Sequence, residues 1–244
     1  MDKSFEAKYH SLEKDHWWFV ARRDMILKIF DIYKIPKTSE ILDIGCSGGD
    51  LIEELNKEDY SNVFGIDISK DAIEICKEKN IPCSFMDAQK IKLKKKFDIL
   101  IASDVLEHIK DRNAAAKNWK SLLKDGGLLI CFCPAFNFLW SSHDEINHHY
   151  QRYDKKSFSR LFYDWKILKL SYWNFFLFVP ITLVRFTQKL IKPNSKKANL
   201  AKTPKIINFL LTKLLFFENI LLKYLNFPFG VSIFIVAQNH SKKD

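Results

Sequence analysis

Cysteine is sparse and unpatterned. Cys46, Cys76, Cys83, Cys131 and Cys133 are odd in number and include no C-x-x-C pair. That spacing argues against a disulfide framework or a zinc ribbon and for a reducing cytosol. Long apolar runs are missing too. None reaches the about 18 uninterrupted residues that span a bilayer, and the nearest, residues 175–184, is broken by Pro180 and Thr182. Residues 1–18 hold no apolar stretch, so no secretory leader is expected. The chain has no internal repeat and no low-complexity tract. With 47% hydrophobic and 28% charged residues over 244 positions, it is neither disordered nor fibrous.

Acidic residues are scarce in only one region. The net charge of +10 by itself implies an anionic partner. Residues 185–244, however, hold 11 Lys or Arg against 2 Asp or Glu, whereas residues 1–184 hold 28 against 27. The body is close to neutral and the excess charge belongs to the tail.

What the chain does have is an alternation of elements. Residues 12–33 carry apolar side chains at helical spacing (Trp18, Met25, Ile26, Ile29, Phe30), closed by Pro36. Short apolar runs at 40–45, 62–67, 83–86, 97–102 and 128–133 read as strands. Helices are expected at 48–57, at 69–79 with Ser69 as cap and Asp71 in the first turn, and at 113–123, ending at Asp125-Gly126-Gly127. Further on come a helix at 155–163 and strands at 165–173 and 231–237, separated by an apolar, basic stretch longer than most connections. Such alternation predicts a parallel sheet with helices on both faces. In that architecture ligands bind outside the carboxyl ends of the strands, near the point where strand order reverses. Those ends carry Gly45, Asp67, Asp87, Ser103-Asp104 and Pro134, the polar and glycine residues a crevice needs.

The densest motif is Asp43-Ile44-Gly45-Cys46-Ser47-Gly48-Gly49, between a strand and a helix. Glycine lets the backbone turn sharply and a ligand approach closely. Asp67 ends the next strand, where a carboxylate accepts both ribose hydroxyls. Asp87 with Ala88 ends the third, and Ser103-Asp104-Val105-Leu106-Glu107-His108 follows the fourth. With these four positions in order over residues 38–134, the chain resembles the class I methyltransferases that use S-adenosylmethionine. It has G-x-x-G-G where a dinucleotide reductase would have G-x-G-x-x-G, and Ser47 stands where the family usually has a second glycine.

The resemblance implies a Rossmann-like, doubly wound, mostly parallel seven-stranded α/β sheet. It divides the chain into an N-terminal helical cap (1–37), a core (38–174), a helical insertion (175–230) and a last core strand with tail (231–244). It also implies that Asp43, Gly45, Cys46, Ser47 and Gly48 line the methionine portion of the cofactor. Asp67 would hold the ribose and Asp87 with Ala88 the adenine, with Ile68 and Ser103 also at the cofactor.

Two outlying segments resemble a bacterial subgroup of that family. His16-Trp17-Trp18-Phe19-Val20-Ala21-Arg22-Arg23 matches an H-W-W-F-x-x-R block. Its aromatics, Trp18 among them, either roof the crevice towards substrate or anchor the core. Arg22 is assigned to the cofactor carboxylate, with Arg23 the alternative. Pro134 to Tyr153 matches P-A-x-x-x-L-W-S-x-H-D-x-x-x-x-H-x-R-R-Y, with Gln151 in place of the first arginine of R-R-Y. This segment nominates His143 as base, Asp144 as its orienting carboxylate, His108 beside them, and Trp140, His148, Arg152 and Tyr153 towards substrate. Asp144 capping the following turn is the structural alternative. Asp104, Glu107 and His108, with His143 or His148 near, form a hard-donor set for a divalent metal. The reading adopted is metal-free, because L-E-H also serves as loop support.

In the tail, residues 205–226 read as a helix whose polar stripe (Lys205, Asn208, Thr212, Asn219, Lys223, Asn226) is narrow, with Lys213 and Glu218 as exceptions. With Lys189, Lys192, Lys196, Lys197 and Lys202 before it, such a helix covers the substrate site, pairs two subunits as a homodimer, or rests peripherally on an anionic inner-membrane face. The function expected is methyl transfer from S-adenosylmethionine, yielding S-adenosylhomocysteine, to a small-molecule, glycan- or lipid-linked acceptor, by O-methylation, in the cytoplasm. A nucleic-acid methyltransferase is the alternative, disfavoured by the absence of an N/D-P-P-Y/F block. A non-catalytic cofactor-binding interaction protein is the other.

Overall fold

The computed structural model describes residue 10, residues 12–191 and residues 203–240. In chain order the elements are α1 (Trp17–Ile32), β1 (Ile41–Ile44), α2 (Asp50–Lys57), β2 (Val63–Asp67), α3 (Lys70–Glu78), β3 (Cys83–Phe85), β4 (Phe97–Ser103), α4 (Arg112–Leu122) and β5 (Leu123–Pro134). They continue with α5 (Ser142–Ile146), α6 (Lys155–Leu161), β6 (Lys166–Trp173), α7 (Phe178–Ile191), α8 (Lys205–Leu221) and β7 (Ser232–Gln238).

One seven-stranded sheet runs in the order β3-β2-β1-β4-β5-β7-β6. β1 to β5 pair in parallel, and β7 pairs antiparallel with both β5 and β6. Burial explains the sequence of the central strands. Ile41-Leu42-Asp43-Ile44 and most of β4 are covered on both faces, so they read as continuous apolar runs rather than alternations. Strand order reverses between β1 and β4, which fixes where a ligand crevice opens.

The strand near residue 128 begins earlier than its sequence suggests. β5 starts at Leu123 and carries Gly126 at φ +76° inside it, with a register shift opposite Phe97 and Ile99. A Cβ on Gly127 would come within 2.9 Å of the Asp98 carbonyl oxygen, so Gly127 allows a close backbone approach and Gly126 the positive φ, and neither ends the helix. Ser69 caps α3 as expected, accepting from the Ala72 N–H at 3.0 Å.

The largest surprise is α8. A surface helix normally turns its apolar stripe inward, but here the middle of the polar stripe, from Asn208 to Asn219, faces the protein beside fully buried Leu215 and Leu222, while Lys205 and Asn226 at its ends are exposed. Asn219 is fully buried: its Oδ1 accepts from Trp173 Nε1 at 2.8 Å, and its Nδ2 donates to Ala21 O and Asp24 Oδ2, each at 2.8 Å. Glu218, also fully buried, accepts from the backbone N–H groups of Asn174, Phe175 and Phe176, which lead into α7. Asn208 accepts from the Trp17 N–H and donates to Asp15 O. Outward lie Ile206, Phe209, Leu210 and Phe217, each more than half exposed. Lys192, Lys196, Lys197 and Lys202 lie outside the described residues.

Candidate active site

A cleft of about 1120 Å³ opens at the carboxyl ends of β1, β2 and β4, under α1 and α7. Of the residues expected there, Asp43, Gly45, Cys46, Ser47, Asp67 and Ile68 line one part, with Asp87, Ala88, Ser103 and Arg22 beside them. His108, His143, His148, Arg152 and Trp18 line the other. Gly48, Trp140, Asp144 and Tyr153 are not on its wall.

The glycine turn is pinned from several sides. Gly45 has φ +75°, and a Cβ there would lie 2.4 Å from the Val105 side chain, so any other residue would be strained and would displace Val105. Ser47 adopts φ +48°, a conformation costly for a non-glycine residue. Its backbone N–H donates to Asp67 Oδ2 at 3.0 Å, and its Oγ donates to Glu13 Oε2 at 2.6 Å and lies 2.9 Å from His10 Nδ1. Lys79 Nζ donates to Gly48 O, which is how Gly48 supports the turn from outside the cleft. Asp67 Oδ1 also accepts from the Ser69 N–H at 2.8 Å.

Three carboxylates (Glu13, Asp43 and Asp67) thus converge on one turn. Burial first, then Glu13 and Asp67, push the Asp43 carboxyl up to about 8. A ligand carrying positive charge would relieve that repulsion. Asp87 Oδ1 accepts from the Gln89 N–H at 2.8 Å, leaving acceptor capacity at the third strand's end, next to half-exposed Met86 and exposed Ile68.

Arg22 occupies the junction of the two parts. It is 3% exposed and stacked between Phe132 and Trp173, its Cζ 4.3 Å from each ring centroid. Its guanidinium donates to Asp104 Oδ2 at 3.1 Å, Ser103 Oγ at 3.2 Å and Ser232 Oγ at 3.2 Å. The side chain assigned to a cofactor carboxylate therefore already clamps β4 to β7, and it holds Asp104 at φ +55°. Arg23 turns away to Glu54 Oε1 and to the carbonyl oxygens of Glu13 and Lys14. Trp18 packs edge-on against Trp173 at 5.0 Å, so it anchors the core and lines the cleft at once.

The histidine-rich segment folds differently from the pairing its sequence suggested. Asp144, fully buried, caps α5 by accepting from the Ser141 N–H at 2.8 Å. It receives Arg152 in a fork, from Nε at 2.8 Å and NH2 at 3.0 Å, and it binds His149 Nδ1 at 2.9 Å. The carboxylate nominated for His143 therefore orients His149. Burial alone would raise its carboxyl, but the His149 hydrogen bond and the Arg152 guanidinium hold it well below the usual carboxylate range. His143 instead sets Nε2 3.2 Å from Asn147 Nδ2, and burial lowers its pKa to about 4. His108 is lowered to about 3, by burial and then by His149.

Arg152, expected at the substrate, is committed to Asp144 and to Ala135 O. Tyr153 is a core residue, 1% exposed and packed on Phe158. The residues missed by sequence reasoning are His149, Glu13, His10 and Arg185. Arg185 reaches from α7 to the Leu139 carbonyl and stands 3.9 Å from Asp144. Only the alternative of Asp144 as a cap hinted at the turn that brings it to His149.

A family profile described as a methyltransferase domain matches residues 15–165. The ubiquinone biosynthesis O-methyltransferase of Coxiella burnetii is 31% identical over 145 residues, 53% of this chain and 61% of that protein. The chain thus spans about three fifths of the length of that relative. The putative sarcosine dimethylglycine methyltransferase of Galdieria sulphuraria superposes with a TM-score of 0.60 at 13% identity, over 90% of this chain and 86% of the other. The N-methyltransferase NodS of Bradyrhizobium japonicum, solved with S-adenosyl-L-homocysteine, gives 0.54 at 13% identity, over 90% and 87%. At that identity the two structures speak for a shared fold. With the profile covering the strands that build the cleft, the chain belongs to the methyltransferase-domain family.

Proposed function

We propose that the protein transfers a methyl group from S-adenosylmethionine to a hydroxyl of a small-molecule, glycan- or lipid-linked acceptor. The observation that carries this is the convergence of Glu13, Asp43 and Asp67 on a glycine turn at the strand-order reversal, a cradle suited to a cationic, ribose-bearing cofactor. When bound, the cofactor supplies an activated methyl group on a sulfonium. Gly45 and Ser47 would hold its methionine portion, Asp67 its ribose, and Asp87 with Ala88 its adenine. Arg22 keeps Ser103 and Asp104 in place between the two halves and, lining the cleft, remains the proposed partner of the cofactor carboxylate.

In the acceptor half the hydroxyl would sit against the imidazoles. His149 replaces His143 as the proposed proton acceptor, because buried Asp144 fixes its Nδ1 and leaves Nε2 directed away from that bond. His143, with its pKa near 4, is neutral at physiological pH and a weak base. His148 and Trp18 remain proposed substrate contacts on the wall. The H-W-W-F-x-x-R block supports placement in the bacterial subgroup that shares it. The likeness to the Coxiella burnetii O-methyltransferase supports oxygen as the nucleophile. Calorimetry tests the reading: S-adenosylhomocysteine should bind, and Asp67→Ala should weaken it at least about tenfold, the cost of one charge-assisted contact. No heat from the wild-type protein would sink the proposal.

A second reading concerns where the protein works. No helix among the described residues is long and apolar enough to cross a membrane. The inverted helix α8, together with exposed Val179, Leu183 and Leu190 of α7, nevertheless presents an apolar face. Exposed Lys205 and Lys213 accompany it, and the only acidic residue of 185–230, Glu218, is buried. This supports peripheral contact with an anionic lipid surface, with α7 lining the cleft above it and delivering a lipid-linked acceptor. Vesicles containing phosphatidylglycerol should pellet the wild-type protein and not a Phe209→Glu, Leu210→Glu variant. Equal pelleting removes the idea, and a dimer in light scattering that the same variant dissolves assigns the face to a second copy instead.

A further inference from the structure

Glu107 is 1% exposed, and its Oε2 has no hydrogen-bond partner among the described residues. A buried carboxylate oxygen left unpaired is costly, so such groups normally meet a proton donor or a cation. The cations nearest to it are engaged elsewhere: Arg22 with Asp104, Arg152 with Asp144. What stands beside Glu107 is a pair of imidazoles. His108 and His149 lie with ring centroids 4.6 Å apart and planes at 85°. One ligand atom from each of Glu107, His108 and His149 falls within 4.8 Å of the others.

We propose that these three residues form a divalent-cation site in the floor of the acceptor half of the cleft. Four features point the same way. The donor set of two imidazoles and one carboxylate suits Zn²⁺, Co²⁺ or Mn²⁺ better than Mg²⁺ or Ca²⁺. His149 has Nδ1 fixed by Asp144 at 2.9 Å, so Nε2 is the ligating atom, and Asp144 is in turn held by Arg152. A carboxylate behind an imidazole is the usual support of a metal-binding histidine. All three ligands border the cleft, which gives an ion an entry path and leaves coordination positions open towards a ligand.

The fit requires modest motion. Atoms about 2.1 Å from one tetrahedral ion lie about 3.4 Å apart, so the widest separation closes by at most about 1.5 Å through side-chain rotation. The sequence placed Glu107 and His108 together but sought the third ligand in His143 or His148. The α5 turn delivers His149 instead.

The role of the ion rests on the methyl-transfer reading above, although its binding does not. An acceptor hydroxyl on the ion would lose its proton to solvent through the cleft and present an oxyanion to the methyl group. His149 Nε2 would then serve as ligand, and proton removal would no longer depend on an imidazole.

The test uses the full chain stripped with a chelator, then titrated with Co²⁺ followed by visible absorption and with Zn²⁺, Mn²⁺ and Mg²⁺ by calorimetry. One equivalent of Zn²⁺ or Co²⁺ should bind with a ligand-field band, and Mg²⁺ should bind far more weakly. Glu107→Gln and His149→Gln should each weaken Zn²⁺ at least about tenfold while keeping the wild-type circular dichroism. His108→Gln serves as a third variant if either of these unfolds. No stoichiometric binding to the wild-type protein, or equal affinity in the folded variants, overturns the site. The same preparations are titrated with S-adenosylhomocysteine. Nucleoside binding without ion binding sinks this inference alone, whereas ion binding without nucleoside binding sinks the methyl-transfer reading and leaves the site standing.

Discussion

Replacing Asp144 by asparagine is the sharpest test of how the histidine segment is held together. The wild-type carboxylate is fully buried and accepts from Arg152 twice, from His149 Nδ1 and from the Ser141 N–H. Asparagine keeps the shape but puts an NH₂ where an acceptor is needed and removes the charge that compensates Arg152, itself only 4% exposed. Removing one partner of a buried ion pair costs about 3–5 kcal/mol, a large share of a typical domain's stability. Urea unfolding should show this as a lower midpoint with an unchanged slope.

Two internal checks follow from the same contacts. Adding Arg152→Met to Asp144→Asn should cost less than the sum of the single changes, because the stranded guanidinium is gone. The Asp144 carboxyl is held below its ordinary value, so its contribution is present above about pH 4 and fades as pH falls towards the folded value. The gap between wild type and variant should therefore shrink on acidification. Affinity for S-adenosylhomocysteine should be nearly unchanged, since Asp144 is off the cleft wall. A loss below about 1 kcal/mol at neutral pH, the worth of an ordinary hydrogen bond, would refute the reasoning.

Asn219→Leu should destabilise by about 2–4 kcal/mol, because it strands the buried Trp173 Nε1–H and removes the bonds to Ala21 and Asp24. A thermal melt unchanged from wild type would mean that α8 does not dock by its polar stripe. The Asp43 carboxyl is raised to about 8, so the ligand-free fold is favoured below pH 4 and loses stability as pH rises through 8. Asp43→Asn should flatten that decline, by a few kcal/mol at most, and a denaturation midpoint with the same pH slope as wild type would contradict the convergence of carboxylates.

Much of the fold was legible because burial on both faces writes itself as apolar runs. Ile41–Ile44, Val63–Asp67 and Phe97–Ser103 are such runs, and their ends carry the glycine and carboxylates of the cofactor half. Local chemistry was legible for the same reason: the Ser69 cap and the Gly45 turn depend on neighbours a few residues away. Partnership across distance was not. Arg22 and Ser103 are 81 positions apart in sequence and leave no trace of each other in either segment, so the clamp that Arg22 makes between β4 and β7 was not legible.

The sequence by itself therefore determined the parallel core, the position of its crevice and the acidic glycine turn, since each follows from periodicity or from adjacent residues. Tertiary structure alone decided that Asp144 serves His149 and not His143, because a five-residue helix and a buried arginine set that geometry. It also decided which face of α8 looks outward. Hydrophobic spacing describes a stripe but not its direction, and here buried hydrogen bonds to Trp173, Ala21 and Asp24 turned Asn219 inward and left Phe209, Leu210 and Phe217 outward.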